Sequence, residues 1–149
     1  MNKKMMIVGA AVGAALSLAV AGGAALAHHA FAAEFDGKAP VLLRGKVTRI
    51  EWINPHAWVH INVVGADGKS TAWMVEGGTP NTLLRAGIDR NTLKSGQEII
   101  VRGYQSKDRL CRPACKANGR DVTFPDGRKL FMGSSGTGAP KDGADATEK

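Results

Sequence analysis

The apolar positions of this chain recur with a period of two over most of its central stretch, the repeat of strands buried on one face. Ala57, Val59, Ile61 and Val63 alternate strictly with His56, Trp58, His60 and Asn62. Ala66-Asp67-Gly68-Lys69 is a hairpin turn signal, and Thr71 to Glu76 reads as the returning strand, with Trp73 and Val75 on one face. Upstream, Val41, Leu43 and Val47 share one parity while Ile50 and Trp52 share the other. A switch near Thr48-Arg49 is what one extra residue in a long strand produces, because it swaps the two faces. Asn54-Pro55 closes that strand.

Thr79-Pro80 then opens a short helix ending at Gly87, with Thr79 as N-cap and Pro80 in the first helical position. Residues 91–96 predict a turn, and Gln97 to Tyr104 a further strand. Residues 105–119 are polar and carry both cysteines, which predicts a loop. Val122 to Phe124 and Lys129 to Phe131 flank Pro125-Asp126-Gly127 as a second hairpin. This order predicts an all-β domain with one short helix, a small five-stranded OB-like Greek-key barrel, with an open barrel of other topology as the competitor.

The ends differ in character from the centre. Lys3 and Lys4 precede an uncharged run from Met5 to Ala27 that closes in Ala25-Leu26-Ala27, a pattern that signal peptidases accept. A membrane anchor is the rival reading of so long an apolar run. Gly9, Gly13, Gly22 and Gly23, and the lack of a following basic cluster, favour cleavage. Ala19-Val20-Ala21 is a second acceptable site. The expected organisation is a signal peptide over 1–27, an arm over 28–40, the barrel domain over 41–132 and a disordered tail over 133–149. Phe31 and Phe35 are positioned to dock the arm on the core. The expected location is periplasmic, with no transmembrane anchor after cleavage.

Length and charge narrow the classes. The 149 residues suffice for one domain, and the 44% hydrophobic content supports a packed core. The net charge of +7 falls to +5 on loss of Lys3 and Lys4 with the leader, leaving 18 basic against 13 acidic residues. Export removes nucleic acid as an expected partner, and an envelope protein or anionic polymer takes its place.

Several motifs occur together: His28-His29, Ala33-Glu34-Phe35-Asp36, Leu43-Arg44-Gly45-Lys46-Val47, Glu51-Trp52-Ile53-Asn54-Pro55-His56, Glu76-Gly77-Gly78-Thr79-Pro80-Asn81 and Asp126-Gly127-Arg128-Lys129. With these, the chain resembles a family of small exported bacterial proteins that carries only a domain-of-unknown-function label. The resemblance runs over about 31–135 and implies an exported barrel-like domain. It implies no activity and no catalytic residues.

The histidines form two pairs, His28/His29 and His56/His60. On a strand, His56 and His60 share a face about 13 Å apart, too far to grip one ion without another contributor. Cleavage after Ala27 would make His28 that contributor, its amine and ring completing a copper(II) or zinc site with His56 or His60, and His29 as the alternative. The plain alternative is a polar tail and solvent-facing strand residues.

Trp58 lies on the polar face beside His56 and His60, where packing does not require an indole. It defines a candidate ligand face, to which Glu51 and Glu76 could add carboxylates across the strands. Cys111 and Cys115 predict a structural disulfide in an oxidising compartment, with a thiol metal site or a redox couple as alternatives. Arg102, Lys107, Arg109, Arg112, Lys116 and Arg120 give 102–120 a basic character suited to docking an anionic surface. No nucleophile elbow, phosphate loop or helical zinc motif occurs, so a non-catalytic binding or accessory role is expected.

Overall fold

One long, sharply coiled strand organises the molecule. The computed structural model describes residues 31–133, so the expected signal peptide, His28 and His29, and the tail from 134 onward lie outside the described residues. Strand β1 runs Phe35–Glu51, and pairs antiparallel with β2 (Trp58–Val64) on one side and β4 (Glu98–Ser106) on the other. Its pairing with β2 shifts register between Val47 and Arg49, where the apolar parity switches. The extra residue lets Leu43 and Val47 enter the core while Arg49 and Glu51 stay on the outer face.

β3 (Ser70–Glu76) pairs with β2, β5 (Cys115–Thr123) with β4, and β6 (Lys129–Phe131) with the end of β5. The order in the sheet is β3-β2-β1-β4-β5-β6. β3 also pairs in parallel with β5, from Trp73 opposite Cys115 to Glu76 opposite Asn118. Helix α1 (Pro80–Arg85) links β3 to β4, and residues 31–34 form a second helical segment. Thr79 Oγ1 accepts the Thr82 N–H at 3.1 Å and caps α1. Beyond the helix, Gly87 adopts φ +83°, a left-handed conformation that costs a glycine nothing.

The five-stranded OB-like Greek-key barrel with one helix is thereby corrected: six strands make one sheet, with two short helical segments. The miscount arises in residues 105–119. β4 continues to Ser106, and β5 begins already at Cys115, absorbing Val122. Its polar residues look like a loop, yet Asn118 and Asp121 are buried and pair along the ladder. Lys129–Phe131 then adds the sixth strand.

The main core gathers Val47, Val59, Ile61, Val75, Val101 and Val122, with Leu83 and Ile88 from α1 and its exit. Burial of these side chains is the principal stabilising term. A separate cluster of Phe31, Phe35 and Tyr104 lies on the outer face of β4, where Phe31 meets Tyr104 edge-on at 5.6 Å between ring centres. It ties the helical segment and the start of β1 to the sheet.

Candidate functional site

Alternation along β2 and the residue before it sends Ala57, Val59 and Ile61 into the core and Trp58, His60 and Asn62 to the other face, where His60 is nonetheless buried, not solvent-facing. Register then aligns the outward residues with those of neighbouring strands. Glu51 of β1 lies opposite Trp58, and Trp58 lies opposite Glu76 of β3. One row therefore places a half-buried indole between two glutamates. In the adjacent row, Arg49 lies opposite His60, and His60 opposite Met74.

Each glutamate holds one imidazole. His60 Nε2 is 3.0 Å from Glu51 Oε1, and His56 Nδ1 is 2.7 Å from Glu76 Oε1. Arg49 also donates to Glu51 Oε1 through Nη2. That hydrogen bond is the main reason the Glu51 carboxyl sits below its ordinary pKa, aided by His60. Burial depresses the His60 pKa, and the Arg49 guanidinium adds to the effect, so the ring is neutral at pH 7 and donates to the ionised carboxylate.

Glu76 is the opposite case. It is buried, and burial pushes its pKa up to about 7, with the charge of Glu34 acting in the same direction and Lys116 against it. Its parallel-strand neighbour Asn118 is 1% exposed, and neither amide atom has a hydrogen-bond partner among the described residues. Asn118 in turn lies opposite Tyr104, whose buried hydroxyl also has no partner among the described residues. A buried polar row thus continues from Trp58 and Glu76 toward the aromatic cluster.

The metal expectation is corrected by this geometry. His56 and His60 are held by different glutamates, and among the described residues no group of three His, Cys, Asp or Glu side chains could hold an ion. A copper or zinc site built on His56 and His60 is therefore not supported, and His28 and His29 lie outside the described residues. Glu51, Trp58 and Glu76, by contrast, are brought into one row.

The basic stretch is not one loop. Arg102 is on β4, Lys116 and Arg120 are on β5, and only Lys107, Arg109 and Arg112 occupy the turn between them. Arg102, Arg120 and Lys129 surround the buried Asp121 carboxylate at 3.5–3.8 Å. Arg109 pairs with Asp36 at 2.8 Å, Lys116 with Glu34 at 3.4 Å, and Lys107 donates to the Ala32 carbonyl. Much of the charge is neutralised by residues far away in sequence, which is why composition alone overstated the patch. Cys111 and Cys115 form a disulfide at the end of the same turn.

Asn118, Tyr104 and Asp121 belong to these clusters although sequence reasoning passed them over. The signal available was a short polar residue beside small ones in 115–121, and only strand pairing gives it meaning. A groove of about 610 Å³ runs past Arg44, Lys46, Asn62 and Thr123, beyond the Trp58 row. No helix among the described residues is long and apolar enough to cross a membrane.

A search of curated proteins finds no match. A family of unknown function, DUF6152, matches residues 14–112, which include β1, β2, β3, α1 and β4 with the whole Glu51–Trp58–Glu76 row. On that match, over more than half its length, the chain belongs to the DUF6152 family.

Proposed function

We propose that the chain is an exported, periplasmic bacterial protein, cleaved after Ala27, that acts as a non-catalytic module docking an envelope protein through its Trp58 face. Its working part is the domain over 41–132, with 28–40 as the arm. Export is supported by the Lys3-Lys4 start, the uncharged run to Ala27 and a disulfide between Cys111 and Cys115, which oxidising compartments favour.

The observation that carries the docking reading is the row itself. Glu51 and Glu76 are each fixed by an imidazole, so the intervening indole is presented from a rigid polar frame at little ordering cost. Tryptophan and arginine are the side chains that anchor protein interfaces, and Arg49 stands in the next row. Ile53, 51% exposed on the connection leaving β1, adds apolar surface at the same end. An anionic polymer is less well served, because Arg102, Arg109, Lys116 and Arg120 already face carboxylates.

Two measurements test this reading. N-terminal sequencing of protein from the periplasmic fraction should begin at His28; an intact Met1 start in the cytoplasm would refute export. A photo-crosslinking side chain at position 58 should trap one discrete protein in cells. The same group at Val64, exposed on the far end of β2, should not. Equal labelling from both positions would refute the docking face.

A further inference from the structure

The disulfide spans a turn that other contacts also close. The turn between β4 and β5 is already closed by hydrogen bonds. Ser106 Oγ donates to Asp108 Oδ1 at 2.8 Å, the Leu110 N–H donates to the same oxygen at 3.1 Å, and the Lys107 N–H donates to the Glu34 carbonyl at 2.9 Å. Arg109 adds bonds to Gln105 and Asp36 at 2.6 and 2.8 Å. On either side, the β4–β5 ladder runs through Gln105 opposite Ala117, and β5 is held again by β3. A cross-link over four residues removes little chain entropy, on the order of 2 kcal/mol in the loop-closure picture.

The two sulfurs also differ in access. Cys111 is exposed, whereas Cys115 is 3% exposed as the first residue of β5. Leu110, immediately before Cys111, is 63% exposed, an apolar side chain at the rim of the bond. Arg112 is exposed directly after it. Positive charge favours a thiolate at the accessible sulfur. An accessible sulfur, a buried partner, an adjacent cation and an apolar contact point together make a surface for thiol exchange with another protein.

We propose that Cys111–Cys115 is a reversible thiol–disulfide site, opened at Cys111 by a protein dithiol that docks on Leu110. The incoming thiolate attacks Cys111 Sγ, forming a mixed disulfide and breaking the bond to Cys115, which leaves as a thiolate and takes up a proton. The second thiol of the donor then attacks its own sulfur in the mixed disulfide. This releases Cys111 as a thiolate and leaves the donor as a disulfide. Two electrons and two protons pass to this chain, and the donor is oxidised by the same amount. The site uses no residue of the Trp58 row, so it stands or falls independently of the docking face.

The test is equilibration of the folded protein with glutathione buffers, followed by acid quench and mass analysis. Most chains should be reduced at ~10 mM reduced glutathione, where a structural disulfide resists the glutathione pool. The reduced wild-type protein, pulsed with iodoacetamide, should label Cys111 at least ~100-fold faster than Cys115. Cys115→Ser should form a mixed disulfide with thioredoxin that lacks its resolving cysteine and carries thionitrobenzoate in mixed disulfide on its attacking cysteine, the Cys111 thiolate displacing one equivalent of thionitrobenzoate, and Cys111→Ser should not. An intact disulfide throughout the buffer series, or equal labelling of the two sulfurs, overturns the proposal. The alkylation readout needs no variant, so a serine substitution that fails to fold does not shield it.

Discussion

Replacing Glu76 by glutamine isolates a buried carboxyl whose ionisation the fold opposes. Glu76 is 4% exposed, and its pKa is raised from 4.5 to about 7 by burial first and by Glu34 second. A folded-state pKa above the unfolded one means that the native protein holds this proton more tightly. The associated stability is full below pH 4.5 and is lost as pH rises through about 7. At about 1.4 kcal/mol per tenfold change in proton affinity, the loss between those limits is about 3 kcal/mol. Glutamine keeps the shape and can still accept from His56 Nδ1, 2.7 Å from Oε1 in the wild type, but it carries no charge at any pH.

Urea denaturation at intervals from pH 4 to pH 8 should therefore show two curves that nearly coincide at pH 4 and separate as pH rises. At pH 8 the Glu76→Gln protein should be the more stable by about 3 kcal/mol. The difference between proteins is the informative quantity, because His60 contributes to both. Its depressed pKa gives stability that is lost as pH falls below 6.5, a slope of opposite sign. His56, Glu34 and Lys116 face Glu76 and are likewise common to both proteins. Parallel curves, or a variant less stable than wild type at pH 8, would refute the assignment of a destabilised carboxylate.

Three further outcomes follow from the packing. Phe31→Ala removes the edge-on contact with Tyr104 and should cost about 3–5 kcal/mol in chemical denaturation if the aromatic cluster folds with the sheet; a change below about 1 kcal/mol would show that it does not. Thr79→Ala deletes the α1 cap and should cost about 1 kcal/mol, whereas Thr79→Ser should retain most of it, both read as shifts in the denaturation midpoint. Gly103→Ala drives a methyl into the Asn118 carbonyl on the next strand. It should destabilise by about 1–3 kcal/mol, with faster amide exchange along β4 and β5, and wild-type exchange rates would contradict this close approach.

Local alternation and turn chemistry made much of this molecule legible in its sequence. Ala57, Val59 and Ile61 are core residues because a half-buried strand must alternate, and the bulge at Val47/Arg49 follows from the parity switch around Thr48. The Thr79-Pro80 start of α1 and the Pro125-Asp126-Gly127 turn were equally readable, since capping and turn geometry depend on a few adjacent residues. The outward position of Trp58 between His56 and His60 came from the same period of two.

What the chain could not disclose locally is which residues meet across strands. Register alone set Glu51 and Glu76 on either side of Trp58, and it handed each imidazole to a different carboxylate instead of bringing the two together. The raised pKa of Glu76 depends on its burial and on the nearness of Glu34, and neither is a property of a residue in its sequence. The same holds for 115–121. Asn118 reads as a polar loop residue, and Asp121 belongs to no predicted element, until β4, β3 and β6 pair with their strand, because a buried polar group is tolerable only where the tertiary structure surrounds it. The basic character of 102–120 likewise dissolved into ion pairs with Glu34, Asp36 and Asp121, whose proximity only the folded chain creates.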